Sequence, residues 1–289
     1  MTRLTLSFSA LFLLVTNVMV QADTKHYFWI VDNQSLYRID VMDPEVTLVS
    51  ELNTPFGYTL GGLAFDSGRN TLFGLLGDPD SNRANLYEIN RVTGESQLQF
   101  SVAAVSESET WSGFDILPDG RALARTLDNQ VAKVSWYEIN MADGIAHRIG
   151  DDLPGGVTDW AAGGDNQLFD FHQGTNNGLE LVSFDPTTQH VASIGAVNVT
   201  VRDRVDLPLG FNPDDQMLYW IAEDNLLLRT SPQNGFTEVL TEFQRFGLPD
   251  GENVGTFAPI PEPATNAWYV WLGAALLVRS SFARPRSRN

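Results

Sequence analysis

The sequence of 289 residues predicts an all-β fold, a β-propeller of five four-stranded blades closed by a C-terminal strand. Three observations predict it. A self-similar unit recurs every 45 to 51 residues between residues 24 and 260. Each unit holds four short segments of apolar, β-branched and aromatic residues set apart by turn formers. Between the two ends of the chain, no stretch of ten or more residues carries a helical period.

The segment that opens a unit is Gly62 to Asp66, Gly113 to Leu117, Asp159 to Ala162, Leu209 to Asn212 and Thr256 to Ile260. Small and apolar residues dominate it, as a strand crowded near a central axis requires. The second segment is Tyr27 to Ile30, Leu72 to Leu75, Leu123 to Thr126, Leu168 to Phe171 and Leu218 to Ile221. The third recurs most plainly, at Leu36 to Asp40, Leu86 to Asn90, Trp136 to Asn140, Leu181 to Asp185 and Leu227 to Thr230. The fourth is Val46 to Leu52, Ser96 to Val102, Ala146 to Ile149, Val191 to Ala196 and Thr237 to Phe243. The first unit lacks its opening strand and the last is nothing else. Thr256 to Ile260 is therefore expected to pair with Tyr27 to Ile30 and close the ring. A β-sandwich accounts for the alternation but not for the 45–51-residue period, and a sixth blade stays open if the stretch Ser101 to Trp111 or Ala196 to Val205 holds further strands. The units resemble those of bacterial propellers that carry "GLAFD…LYG/LY.ID..TG" patterns, seen here in Gly62 to Asp66 and Leu86 to Gly94. That class includes enzymes, ligand binders and surface proteins, so the resemblance implies architecture and not chemistry.

The ends divide the chain into residues 1–22, 23–260 and 261–289. Arg3, the apolar stretch from Leu4 to Val20 and the small residues Val20 and Ala22 before Asp23 make a secretory signal peptide, with cleavage expected after Ala22. At the other end Pro261, Glu262 and Pro263 precede an apolar run, Ala267 to Val278, and a tail with Arg279, Arg284, Arg286 and Arg288. The run spans a bilayer only when extended through Arg279 and the two serines. The arginines place the tail on the cytoplasmic side and the main domain across the membrane. In this order, these three parts resemble the PEP-CTERM sorting signal of Gram-negative bacteria. That resemblance implies recognition and removal of the tail by exosortase, a membrane-embedded cysteine enzyme, and release to the cell surface or the exopolysaccharide matrix. Here the basic residues are spread over ten positions rather than packed directly behind the apolar run.

There is no cysteine, so an exported domain must rely on its core and hydrogen bonds. Arg3, Arg279, Arg284, Arg286 and Arg288 lie outside the stretch Asp23 to Glu262, which holds the other 13 basic residues and all 36 acidic ones, a net −23. Such a surface excludes nucleic acid as a partner, because phosphate binding relies on Lys and Arg. It favours solubility outside the cell.

No catalytic set is visible: there is no nucleophile elbow, phosphate loop or dinucleotide fingerprint. A ligand site is expected at the mouth formed by the loops that enter the opening strands. The candidate residues are Trp111, Asp115, Asp159, Trp160, Arg202, Asp203 and Asp206. Their carboxylates suit Ca²⁺ and their tryptophans suit stacking on sugar rings; against this stand tryptophans packed between blades and surface ion pairs. Asp78, Asp80 and Asn82 begin like an EF-hand loop, but Arg83 replaces its glycine and Ile89 its closing glutamate. His26, His147, His172 and His190 fall in different units, with no ligand spacing. Asn198-Val199-Thr200 has the N-glycosylation pattern. The favoured reading is a non-enzymatic surface or matrix protein whose propeller is an interaction module with no cofactor; the rivals are a Ca²⁺-dependent, lactonase-like hydrolase and a sugar-binding, lectin-like propeller.

Overall fold

A computed structural model describes residues 27–32, 35–40, 46–51, 59–78, 81, 83–103, 108–128, 133–153, 160–174, 178–199, 208–222, 226–242 and 257–260. Residues His26–Pro261 form one compact unit. The expected signal peptide and the expected C-terminal transmembrane helix lie outside the described residues. Among the described residues, no helix is long and apolar enough to cross a membrane.

The described chain is all β and builds five four-stranded antiparallel sheets, here called blades. Blade one joins both ends of the domain in the order β20 (Phe257–Ile260), β1 (Tyr27–Asp32), β2 (Ser35–Asp40), β3 (Val46–Glu51). Blade two is β4 (Thr59–Asp66), β5 (Thr71–Gly77), β6 (Arg83–Ile89) and β7 (Ser96–Ala103). Blade three is β8 (Glu109–Ile116), β9 (Ala122–Asp128), β10 (Lys133–Ile139) and β11 (Ala146–Leu153). Blade four is β12 (Ala161–Ala162), β13 (Leu168–Gln173), β14 (Leu179–Asp185) and β15 (His190–Ala196). Blade five is β16 (Leu209–Asn212), β17 (Met217–Ala222), β18 (Leu226–Thr230) and β19 (Thr237–Glu242). The inner strands neighbour one another in a closed cycle: β4 with β8, β8 with β12, β12 with β16, β16 with β20 and β20 with β4. β20 runs antiparallel to β1 with Ile260 opposite Tyr27 and Phe257 opposite Ile30, so the orphan strand of the sequence does close the first blade.

The core lies between blades. Leu36 and Ile260 of blade one meet Leu63, Leu72 and Ile89 of blade two. Phe73 and Leu86 meet Phe114 and Ile139 across the next interface, Leu123 and Trp136 meet Leu168 and Phe184, and Phe171 meets Leu209 and Trp220. Each large apolar side chain removed from water in this way stabilises the ring by about 1.5–3 kcal/mol. The inner strands come close enough that side chains are excluded: a Cβ on Gly62 of β4 would lie 2.3 Å from the Phe114 nitrogen of β8. Burial fades outward. Central β5 is buried at six of its seven residues, whereas peripheral β7 has one buried residue in eight.

The sequence period has a structural counterpart in a β-bulge on the outer strand of every blade. Register slips between Leu36 and Tyr37, Leu86 and Tyr87, Trp136 and Tyr137, Leu181 and Val182, and Leu227 and Leu228. In blades one, two and four the residue opposite the first member of the slip, Ser50, Phe100 or Gly195, receives the outer turn of the following blade. Gly144, at φ 75°, leads that turn onto Phe100, where a Cβ would lie 2.5 Å from the ring. Gly94 meets Ser50 and Gly235 meets Gly195 in the same way. In blade four the position is Gln189, also at positive φ, and its side-chain amide donates to the Ile149 carbonyl of blade three. Its turn is set by Asp185, whose carboxyl is held below the usual range by the Thr188 hydroxyl and the Thr187 amide.

Candidate functional site

The mouth expected from the sequence divides into residues the structure describes and residues it does not. Asp159, Arg202, Asp203 and Asp206 lie outside the described residues. Trp111, Asp115 and Trp160 are described, and each is committed to holding blades together.

Trp111 is 5% exposed and Trp160 is 1% exposed. The Trp111 ring packs 5.4 Å from Tyr137, and Trp160 packs edge-on against Trp136 at 4.9 Å. Neither presents a face to solvent, so the expected sugar-stacking role of these two tryptophans is overturned. The reason is position: Trp111 sits on β8 facing the core between blades two and three, and Trp160 directly precedes β12 in the next core.

Asp115 turns sideways along the ring. One carboxylate oxygen accepts the Ala162 amide of β12 at 2.6 Å, and the other accepts the Ile116 amide at 2.8 Å. An inner strand of only two residues offers an edge N–H that no neighbouring strand pairs, and the carboxylate of the preceding blade satisfies it. Asp115 is a staple between blades and not an open metal ligand.

The structure also settles several smaller expectations. Asp78 accepts the Ser81 hydroxyl at 2.7 Å; Asp80 and Asn82 lie outside the described residues. His147 and His190 sit on outer strands, in different blades, and His26 is outside the described residues. Asn198 lends both ends of its amide to the first residue of β19, donating to the Thr237 carbonyl at 3.1 Å and accepting its N–H at 2.6 Å. A glycan on that nitrogen would break the clamp. Among the described residues, no three His, Asp or Glu side chains gather as a metal site.

Sequence reasoning missed the buried polar groups. At the interface of blades two and three, Glu109 is 5% exposed and accepts the Tyr137 hydroxyl at 2.7 Å and the Ser135 hydroxyl at 3.2 Å. Arg148 donates to the same serine at 2.8 Å. Burial, followed by the Glu109 hydrogen bond and charge, pushes the Tyr137 hydroxyl up to about 12. Between blades three and four, Arg125 Nη1 lies 3.3 Å from Asp170 Oδ2, and His172 Nε2 lies 3.8 Å from that oxygen. In blade five, the Tyr219 hydroxyl donates to Asp215, and burial followed by that carboxylate raises its pKa. On the same blade, Glu238 holds the Arg229 guanidinium at 2.6 Å.

These groups are paired donor to acceptor across strands or across blades. The arrangement supplies rigidity and register. A groove of about 560 Å³ runs along blade two beside Asn70, Glu88, Asn90 and Glu95. It is open and polar, unlike the apolar concavity of a small-molecule site, and beside it Arg91 lies 5.7 Å over the Phe65 ring.

No family model and no curated protein matches the chain. Solved structures do resemble it. A chain from the crystal structure of a nidogen/laminin complex superposes with a TM-score of 0.51 at 9% identity, covering 81% of this chain and 98% of that one. A protein of unknown function from Bacteroides caccae gives 0.47 at 13% identity, covering 82% of this chain and 99% of that one. TolB from Acinetobacter baumannii gives 0.48 at 13% identity, covering 88% and 70%. The first of these likenesses, at so low an identity, is one of fold alone.

Proposed function

We propose that this chain is an exported protein, sorted through its C-terminal signal and cut by exosortase, whose propeller then serves as a non-catalytic interaction module at the cell surface or in the exopolysaccharide matrix. One observation carries the reading. β20 ends at Ile260, directly before the Pro261-Glu262-Pro263 triplet, and the compact unit ends at Pro261. Among the described residues, the first blade needs the chain up to Ile260, the residue before the triplet, to complete its four strands. A tail that can be removed without taking a strand from the fold is what a sorting signal requires. The internal carboxylates described above are engaged with hydroxyls, amides or guanidinium groups, which supports a scaffold over a catalyst.

Mass spectrometry of the protein from its native host tests the delivery half. A mature C-terminus near Pro263 is expected; a mature chain that still ends in Arg288-Asn289 overturns processing. The module half is tested by binding of the Asp23–Ile260 domain to the host's own exopolysaccharide, with and without Ca²⁺. Retention is expected without added metal, and binding that appears only with Ca²⁺ points instead to a metal-dependent mouth.

A further inference from the structure

The outer turn of blade five, Ser231 to Phe236, is bonded like that of blade three but carries an asparagine where that one carries an aspartate. In blade three the Gly144 amide donates to the Asn140 carbonyl at 2.8 Å, and the Ile145 amide donates to the Asp143 carboxylate at 3.0 Å. In blade five the Gly235 amide donates to the Ser231 carbonyl at 2.9 Å, and the Phe236 amide donates to Asn234 Oδ1 at 2.9 Å. Gly144 and Gly235 share the left-handed backbone, at φ 75° and 73°. Among the described asparagines only Asn234 precedes a glycine; Asn90 and Asn140, which open the outer turns of blades two and three, precede Arg91 and Met141.

We propose that Asn234 deamidates spontaneously in the folded protein, and that the isoaspartate formed there frees the outer turn of blade five from blade four. The step is an attack of the Gly235 main-chain nitrogen on Cγ of Asn234. The N–Cγ bond forms, the Cγ–Nδ2 bond breaks, and ammonia leaves with the proton that Gly235 gives up. Water then opens the cyclic imide at one of its two carbonyls, giving an aspartate or an isoaspartate. Gly235 has no side chain to crowd its nitrogen. The Phe236 amide already holds Asn234 Oδ1, the atom on which negative charge develops during attack. Asn234 is exposed, so water reaches the imide. The bond from the Gly235 amide to the Ser231 carbonyl holds the nucleophile back, and it opens with local fraying of the turn.

The two products differ in what they do to the interface. Aspartate leaves the main chain as it was, and Asp143 shows the same turn closing around one. Isoaspartate reroutes the chain through Cγ, adds a methylene to it, and turns the former main-chain carbonyl into a free carboxylate. That carbonyl is the group packed on blade four: a Cβ on Gly195 would lie 2.6 Å from the Asn234 oxygen. A charge at this place has to be hydrated, which parts the turn from β15. Three residues further on, Thr237 is clamped by the Asn198 amide at 2.6 and 3.1 Å, so the longer chain also pulls on the first residue of β19. The rim of blade five then has a lifetime set by this chemistry and not by unfolding of the ring.

The purified full chain, incubated in mildly alkaline buffer and followed by peptide mapping, tests the site, with isoaspartyl methyltransferase marking the isoaspartate. Asn234 is expected to convert in the folded chain, several-fold more slowly than in urea. Hydrogen exchange at residues 231–237 should then be several-fold faster in the aged protein than in the fresh one, with residues 140–145 unchanged. Asn234→Asp should keep the fresh pattern. Asn234→Gln, whose longer side chain closes the corresponding ring far more slowly, should keep it through the incubation. That variant separates the site from Asn177, the other asparagine followed by a glycine, which lies outside the described residues. An Asn234 still intact in the fold after the unfolded chain has converted overturns the site. Converted protein that exchanges like the fresh chain, or an Asn234→Asp variant as open as the aged one, overturns the release.

Discussion

The interface between blades three and four adds a buried ion pair to its apolar core, whereas the one between blades four and five is packed chiefly by aromatic rings. In the first, Arg125 and Asp170 are buried and paired, with side chains 7% and 9% exposed. In the second, Phe171 lies 4.9 Å from Trp220 and Phe169 stacks at 6.1 Å on Phe211. The indole N–H of Trp220 donates within its own blade, to Thr230 Oγ1 at 2.8 Å. An apolar layer gains from every contact it makes. A buried ion pair gains only while both partners are present, because its Coulomb energy offsets a desolvation cost of similar size. The two interfaces should therefore respond differently to the loss of one side chain and to the loss of two.

The largest effect is expected at the charged interface. Asp170→Ala leaves the Arg125 guanidinium buried opposite an apolar wall and should cost about 3–5 kcal/mol. Adding Arg125→Leu to that variant should restore most of the loss, since neither charge then needs a partner. Denaturant unfolding of the two single variants and the double variant measures the coupling. If the double variant falls by the sum of the singles, the ion pair is not what holds this layer. At the apolar interface Trp220→Ala should cost a comparable amount, about 3–5 kcal/mol from lost transfer energy and a cavity. A second truncation there, Phe171→Ala, should deepen the loss rather than rescue it.

The architecture was legible in the sequence because repeat spacing reports on strand number, and strand number is what a ring of blades repeats. Leu36, Leu86, Trp136, Leu181 and Leu227 mark the third strand of each blade and also sit at the bulge of each. The buried ion pair was hidden by a slip of one residue. The sequence aligns Leu123 with Leu72, but Ala122 pairs with Ile139 as Leu72 pairs with Ile89. Leu168 takes the same place opposite Phe184. A shift of one residue exchanges the two faces of a strand. In the true register Arg125 faces the following blade and Asp170 the preceding one, so opposite charges meet. The two readings weighed for the tryptophans separate on burial: both pack between blades, and for Trp111, on β8, the side-chain direction is set by strand alternation and not by nearness to the mouth.

Next in size is a break at the rim. Gly144→Ala forces an L-residue to φ 75° and sets its Cβ against the Phe100 ring. The backbone term alone costs about 1–2 kcal/mol. The outer turn of blade three should then separate from β7 before the ring opens. Faster hydrogen exchange at residues 140–145 than elsewhere in blade three is the expected sign; uniform exchange across the blade would place the strain in the core instead.

The smallest effect is expected on the face of blade three that meets blade two, where a buried carboxylate is bound by neutral hydroxyls of its own blade. Tyr137→Phe removes the hydroxyl that Glu109 accepts and should cost about 1–2 kcal/mol near neutrality. Its sharper signature is at high pH. The hydroxyl titrates at about 12 in the fold against 10.0 for an unperturbed tyrosine. The folded state therefore holds its proton more tightly than the unfolded state does. The stability linked to that proton is complete below pH 10 and is lost as the pH rises through about 12. Tyr219 in blade five shifts in the same direction, so the wild-type protein should lose stability through both residues above pH 10. Tyr137→Phe should reduce that alkaline slope without abolishing it, while leaving the slope below pH 9 unchanged. An alkaline limb identical to the wild type would mean that the Tyr137 proton is bound no more tightly in the fold than in the open chain, and that its bond to Glu109 does not tie β10 to β8 within blade three.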